Sequence, residues 1–104
     1  MITRIVKLTF RENEVASFLN IYEASKELIK AMNGCLYLSL HNEQDNKNVF
    51  FTISQWQDES HLNNYRNSEL FKTTWQNTKA LFKDKAEAWT INNIHNIGEW
   101  QAQS

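Results

Sequence analysis

Four side chains in this sequence are of types that could hold and activate a flat, electron-rich molecule: His41, Trp56, Tyr65 and Trp75. Three of them fall in one stretch, NVFFTISQWQDESHLNNYRNSELFKTTW (residues 48–75), in which six residues are aromatic. An indole N–H donates a hydrogen bond to a substrate oxygen, a phenol donates or accepts one, and both present a broad ring face. His41 stands at the end of a strand-like run, where it would reach the mouth of a pocket as a general base, histidine being the side chain suited to moving protons near neutral pH. The same rings would equally serve a core, because aromatics at strand and helix spacing dominate packing. Of these rings, Phe50, Phe51 and Phe71 read as core, whereas Tyr65 and Trp75 are the candidates to border a cavity.

Other chemistry finds little support. His61, four residues before Tyr65, has Asn63 and Asn64 beside it and reads as surface, and His95 is far from both other histidines. No His-x-x-x-His, Cys-x-x-Cys or clustered-carboxylate pattern suggests a metal, and the isolated Gly34 and Gly98 cannot form a phosphate-cradling loop. Cys35, the single cysteine, opens an apolar run with no histidine near it in sequence and reads as structural.

The elements that must position these residues follow from periodicity. Residues 2–10 alternate Ile2, Arg4, Val6, Leu8 against Thr3, Ile5, Lys7, Thr9, which predicts a first strand. Asn13 is a candidate N-cap for a helix with Val15, Phe18, Leu19, Tyr22, Ile29 and Met32 on its apolar face, interrupted by Ser25 and Lys26, and Gly34 is placed to close it. CLYLSLH (residues 35–41) and VFFTISQW (residues 49–56), joined by the polar link NEQDNKN, read as an antiparallel hairpin. Asp58 caps a short helix ending near Arg66, and Ser68 caps another with Phe71, Trp75, Thr78 and Phe82 on one face. Residues 85–95 alternate again as a fourth strand.

This order, βαββαβ, predicts an α+β ferredoxin-like sandwich: a four-stranded antiparallel sheet with helices on one face. In the third strand Phe51 and Ile53 point one way, Phe50 and Trp56 the other, so both sheet faces carry apolar groups. The face without helices needs a cover, and a second copy of the same sheet supplies one, which predicts a homodimer. One domain spanning residues 1–104 is expected, with residues 98–104 a loose tail or one docked on the partner through Trp100. A net charge of −1 disfavours nucleic acid as a partner, and no apolar run approaches the length of a membrane span. A lone thiol and the absence of a secretory h-region in MITRIVKLTF predict a cytoplasmic protein.

The run from Ser54 through Trp56, Leu62, Tyr65 and Ser68 to Phe71 resembles the antibiotic biosynthesis monooxygenase family. Members typically carry a strand ending Glu-x-Trp, then a His or other aromatic nine residues past the Trp, then Ser, then Phe. The resemblance implies a dimeric α+β barrel and oxygenation of a small polyketide-like aromatic without flavin, metal or other cofactor, with Trp56, Tyr65 and Trp75 clamping the substrate and His41 or Tyr65 taking part in proton transfer. Ser54 stands where the family usually has Glu, and Tyr65 where many members have His, which favours as an alternative a non-catalytic dimer binding a small molecule or haem. The segment also resembles a haem-degrading branch of the superfamily. There, however, Trp75 occupies the place of the iron-ligating His and Val6 that of a first-strand Asn.

Overall fold

The structure is a computed structural model that describes residues 1–98. Its elements are β1 (Ile2–Phe10), a short 3-10 turn (Glu12–Glu14), α1 (Val15–Lys30), β2 (Cys35–Asn42), β3 (Val49–Trp56), α2 (Glu59–Arg66), α3 (Glu69–Lys79) and β4 (Phe82–Asn92). The strands form one antiparallel sheet in the order β2-β3-β1-β4, as the ferredoxin-like βαββαβ connection requires. Trp100 and the rest of the expected tail beyond Gly98 lie outside the described residues. No helix among the described residues is long and apolar enough to cross a membrane.

Strand register sorts side chains between two faces. Val6 lies opposite Thr52 on one side and Ala88 on the other, and Arg4 opposite Ser54 and Thr90; these rows face the helices. Ile5 lies between Ile53 and Trp89 on the opposite, open face, where Trp89 and Ile91 remain nearly half exposed. Phe51, expected in the core with Phe50, lies on that open face, because neighbouring residues of a strand project to opposite sides.

Under the helices the core has two ends. At one, Leu8, Phe10, Phe18 and Phe50 are buried together, Phe10 stacked on Phe18 with ring centroids 4.2 Å apart. At the other, Trp56 packs with Cys35 and Leu62. Full burial of each large apolar side chain contributes about 1.5–3 kcal/mol. The sheet rows between these ends carry Thr52, Ser54 and Val6, which are too small to fill the space that Phe50 and Trp56 fill at the ends.

Local chemistry sets several boundaries. Asp58 accepts a hydrogen bond from His61 N at the start of α2, and Ser68 from Phe71 N at the start of α3, as expected for caps. Asn13 does not cap α1; it sits within the 3-10 turn, and Glu14 at the N-cap makes no side-chain cap bond. α1 ends at Lys30, so Gly34 serves the entry to β2 instead, at φ +86°, where an added Cβ would meet the His61 ring of α2. Phe82, expected on the last helical face, opens β4 opposite Phe10, and His95 falls beyond that strand. The Arg11 guanidinium, donating to the Ala80 and Phe82 carbonyls, pins this turn to the end of β1.

Candidate functional site

The undersized middle rows leave a cavity of about 110 Å³ between the sheet and the helices. Its apolar walls include Val6, Leu8, Phe18, Leu38, Phe71 and the ring of Trp75, and apart from the Trp75 indole N–H its polar side-chain groups are hydroxyls: Tyr22 and Ser25 from α1, Thr52 and Ser54 from β3, Tyr65, Thr74 and Thr78 from the last two helices. No carboxylate, imidazole or amine is part of the lining. Ser25, which interrupts the apolar face of α1, donates its hydroxyl to the Ile21 carbonyl at 2.8 Å, leaving its acceptor lone pairs for the cavity.

A row of rings forms one side of the site. Trp56 stacks on Tyr65 (5.0 Å, 20°), Tyr65 meets Phe71 edge-on (5.2 Å, 80°), and Phe71 stacks on Trp75 (5.9 Å, 9°). Trp56 itself is fully buried behind the lining, and its indole Nε1–H donates to Ser54 Oγ at 3.0 Å. Ser68 spaces the central pair: its hydroxyl accepts from Phe71 N at 3.1 Å and donates to the Tyr65 carbonyl at 2.6 Å. A single side chain thus ties the end of α2 to the start of α3 and sets Tyr65 relative to Phe71.

Burial pushes the Tyr22 phenol up to about 12, with Tyr37 and Cys35 nearby adding to the shift. Tyr65 is raised as well, again chiefly by burial, with Cys35 and Tyr22 contributing. Both are protonated at neutral pH, so each offers an O–H donor and neither serves as a resting base. Burial also raises the Cys35 thiol, which donates to the Tyr37 carbonyl.

Of the residues singled out from the sequence, Tyr65 and Trp75 line the cavity together, with Phe71, which had been read as core. Trp56 supports it from behind. His41 is elsewhere: it projects from the open face opposite Phe51, its Nε2 2.8 Å from Ser39 Oγ. A register irregularity between Cys35 and Tyr37 puts Cys35 on the helix side and His41 on the other. His61 sits outside the lining, its Nδ1 2.7 Å from Asp58 Oδ1. The backbone and side-chain hydrogen bonds to His61 hold the Asp58 carboxyl below its usual range. Sequence reasoning did not select Tyr22, Ser25 or Thr52, although a serine breaking an apolar helical face was a legible sign.

A second concavity, of about 230 Å³, lies on the β1–β4 side and is lined by Arg4, Arg66, Ala86 and Ala88 together with Val6, Phe71 and Trp75. The last three residues are common to both spaces. Among the described residues no three His, Cys, Asp or Glu side chains are grouped as metal ligands would be. Haem fits the inner cavity poorly: the volume is far below that of a macrocycle, the lining offers neither imidazole nor thiolate, and burial keeps the Tyr22 and Tyr65 phenols protonated.

A four-stranded antiparallel sheet with helices on one face and a hollow beneath them defines an α+β ferredoxin-like domain with an internal cavity. The family model for antibiotic biosynthesis monooxygenase matches residues 1–77, and the chain belongs to that family. Solved structures share the fold. A crystal structure of an antibiotic biosynthesis monooxygenase superposes with a TM-score of 0.86 at 18% identity, over 91% of this chain and 100% of that one. A conserved protein from Methanosarcina mazei Go1 gives 0.85 at 20% identity, over 90% and 94%. SnoaB, a cofactor-independent oxygenase from Streptomyces nogalater, gives 0.83 at 17% identity, over 94% and 97%. A search of curated proteins by sequence matches none.

Proposed function

We propose that this protein is a cofactor-independent monooxygenase acting on a small, electron-rich aromatic held in the inner cavity. The observation that carries this reading is the cavity itself: aromatic rings along one side and a set of neutral hydroxyl-bearing side chains in a lining that contains no ionised group. Such a site stabilises a delocalised oxyanion through preorganised donors, Tyr65 foremost. Loss of a proton from the substrate, as the phenol O–H or as the ring CH₂ of its keto tautomer, gives an enolate that transfers one electron to O₂. The radical pair combines into a C–O bond, and the hydroperoxide loses water, so that CH₂ and O₂ become C=O and H₂O with the substrate as the sole reductant.

The lining provides no base, and His41 on the opposite face of the sheet is no candidate for contact with a substrate in this cavity. The substrate is therefore one acidic enough to lose its proton to water at the mouth. Size narrows it further. A cavity of about 150 Å³ holds one benzene ring, so a space of about 110 Å³ is nearer in size to a single ring than to a three-ring anthrone.

On this reading the protein works in the cytoplasm as a homodimer joined through the open sheet face, where Ile5, Phe51, Ile53, Trp89 and Ile91 require a cover. A second reading, a binding protein without turnover, is favoured by Ser54 in the place of the family's usual Glu. Oxygen uptake with a panel of one-ring and three-ring phenols separates the two. The oxygenase reading expects uptake with one-ring substrates, lowered about a hundredfold in Tyr65→Phe. Thermal stabilisation by the same compounds with no uptake above a heat-killed control establishes the binding protein.

A further inference from the structure

We infer that the concavity between Arg4 and Arg66 is an anion site, and that its ligand is a one-ring aromatic acid whose ring lies against Phe71 and Trp75. The inference goes beyond the proposed reading: this is a second site, across the Phe71–Trp75 wall from the inner cavity, and it does not depend on what that cavity holds.

Arg4 is the first argument. It occupies the inward register of β1, in line with Ile2, Val6 and Leu8, where an apolar residue would pack more cheaply. Its guanidinium donates one N–H to Thr90 Oγ1 at 2.8 Å, which fixes its plane and leaves further donors free. Arg66, in the last turn of α2, lines the same space. Among the described residues no carboxylate is within ion-pair distance of either; the acids that do pair are engaged with Lys7, Arg11, Lys26 and His61. Partial burial lowers the Arg4 pKa, and the like charge of Arg66 adds to the shift. An anion between them relieves that repulsion and accepts forked hydrogen bonds from both.

The remaining walls define what the anion is attached to. Ala86 and Ala88 give a flat floor, and the Phe71–Trp75 stack gives a ring-sized face. The volume, about 230 Å³, exceeds the roughly 150 Å³ that accommodates benzene. Because Val6, Phe71 and Trp75 also border the inner cavity, the anion is held beside the hydroxyl-lined space.

Calorimetric titration of the full chain with benzoate, phenyl phosphate and uncharged benzamide tests this without reference to turnover, so a protein that consumes no oxygen still gives an answer. At least one acid should bind about tenfold or more tightly than benzamide, and the tighter of the two identifies the anion as carboxylate or phosphate. Arg66→Gln, an exposed position where folding is not at stake, should erase that preference while leaving benzamide affinity unchanged; Arg4→Gln should do the same. Benzamide binding as tightly as both acids, preservation of the preference in both variants, or no binding of any of the three overturns the inference. Inorganic phosphate matching phenyl phosphate would remove the aromatic part of the ligand and overturn it likewise.

Discussion

Ser54 illustrates how one side chain organises a site. Its hydroxyl brings no charge to the cavity and is the acceptor for the Trp56 indole, which is otherwise sealed from water. Ser54→Ala leaves that N–H buried without a partner, and the expected loss of stability is about 1–3 kcal/mol, read as a lower urea midpoint at unchanged m-value. A midpoint equal to that of the wild type would mean that water reaches the indole. Some of this was visible beforehand. Tyr65 and Trp75 were picked out as bordering a cavity, but Phe71 beside them was read as core, and the facing of His41 was hidden because a one-residue irregularity at the start of β2 inverts the whole strand's alternation and leaves no mark in CLYLSLH. Arg4 was legible in principle, as a charge in an otherwise apolar alternation.

At the level of elements, the junction between α2 and α3 controls the aromatic row. Ser68 holds the carbonyl of Tyr65 and the amide of Phe71 at once, so its removal uncaps α3 and releases the angle between the two rings. Ser68→Ala should cost about 1 kcal/mol and weaken binding of any ring in the cavity. Ser68→Asp, which keeps the cap acceptor, should recover the stability but not the bond to the Tyr65 carbonyl; chemical denaturation alongside ligand titration separates these effects. The caps at Asp58 and Ser68 could be read from sequence because capping is decided within a few residues. The boundary between α3 and β4 could not. Phe71, Trp75, Thr78 and Phe82 continue a helical period with no Gly or Pro to break it, and only the pairing of Phe82 with Phe10, more than seventy residues away, decides where the helix stops.

For the whole molecule, the fold followed from element order, since a βαββαβ chain with one polar hairpin link has few ways to bury both helices. What covers the open face is a separate matter. The proposed pairing buries Ile53 and Trp89, which flank Ile5 in one cross-strand row, so Ile53→Arg or Trp89→Glu should convert a particle of twice 12.3 kDa to one of 12.3 kDa in sedimentation, with the circular dichroism of the chain unchanged. Wild-type protein sedimenting as a single chain at micromolar concentration would reject the pairing. On the covered side, Val6, Phe71 and Trp75 work as a party wall between two rooms. Any residue that thickens this wall shrinks both rooms together, so selection for a larger ring on one side necessarily loosens the grip on the other, and the size and charge preferences of the protein can only evolve in tandem.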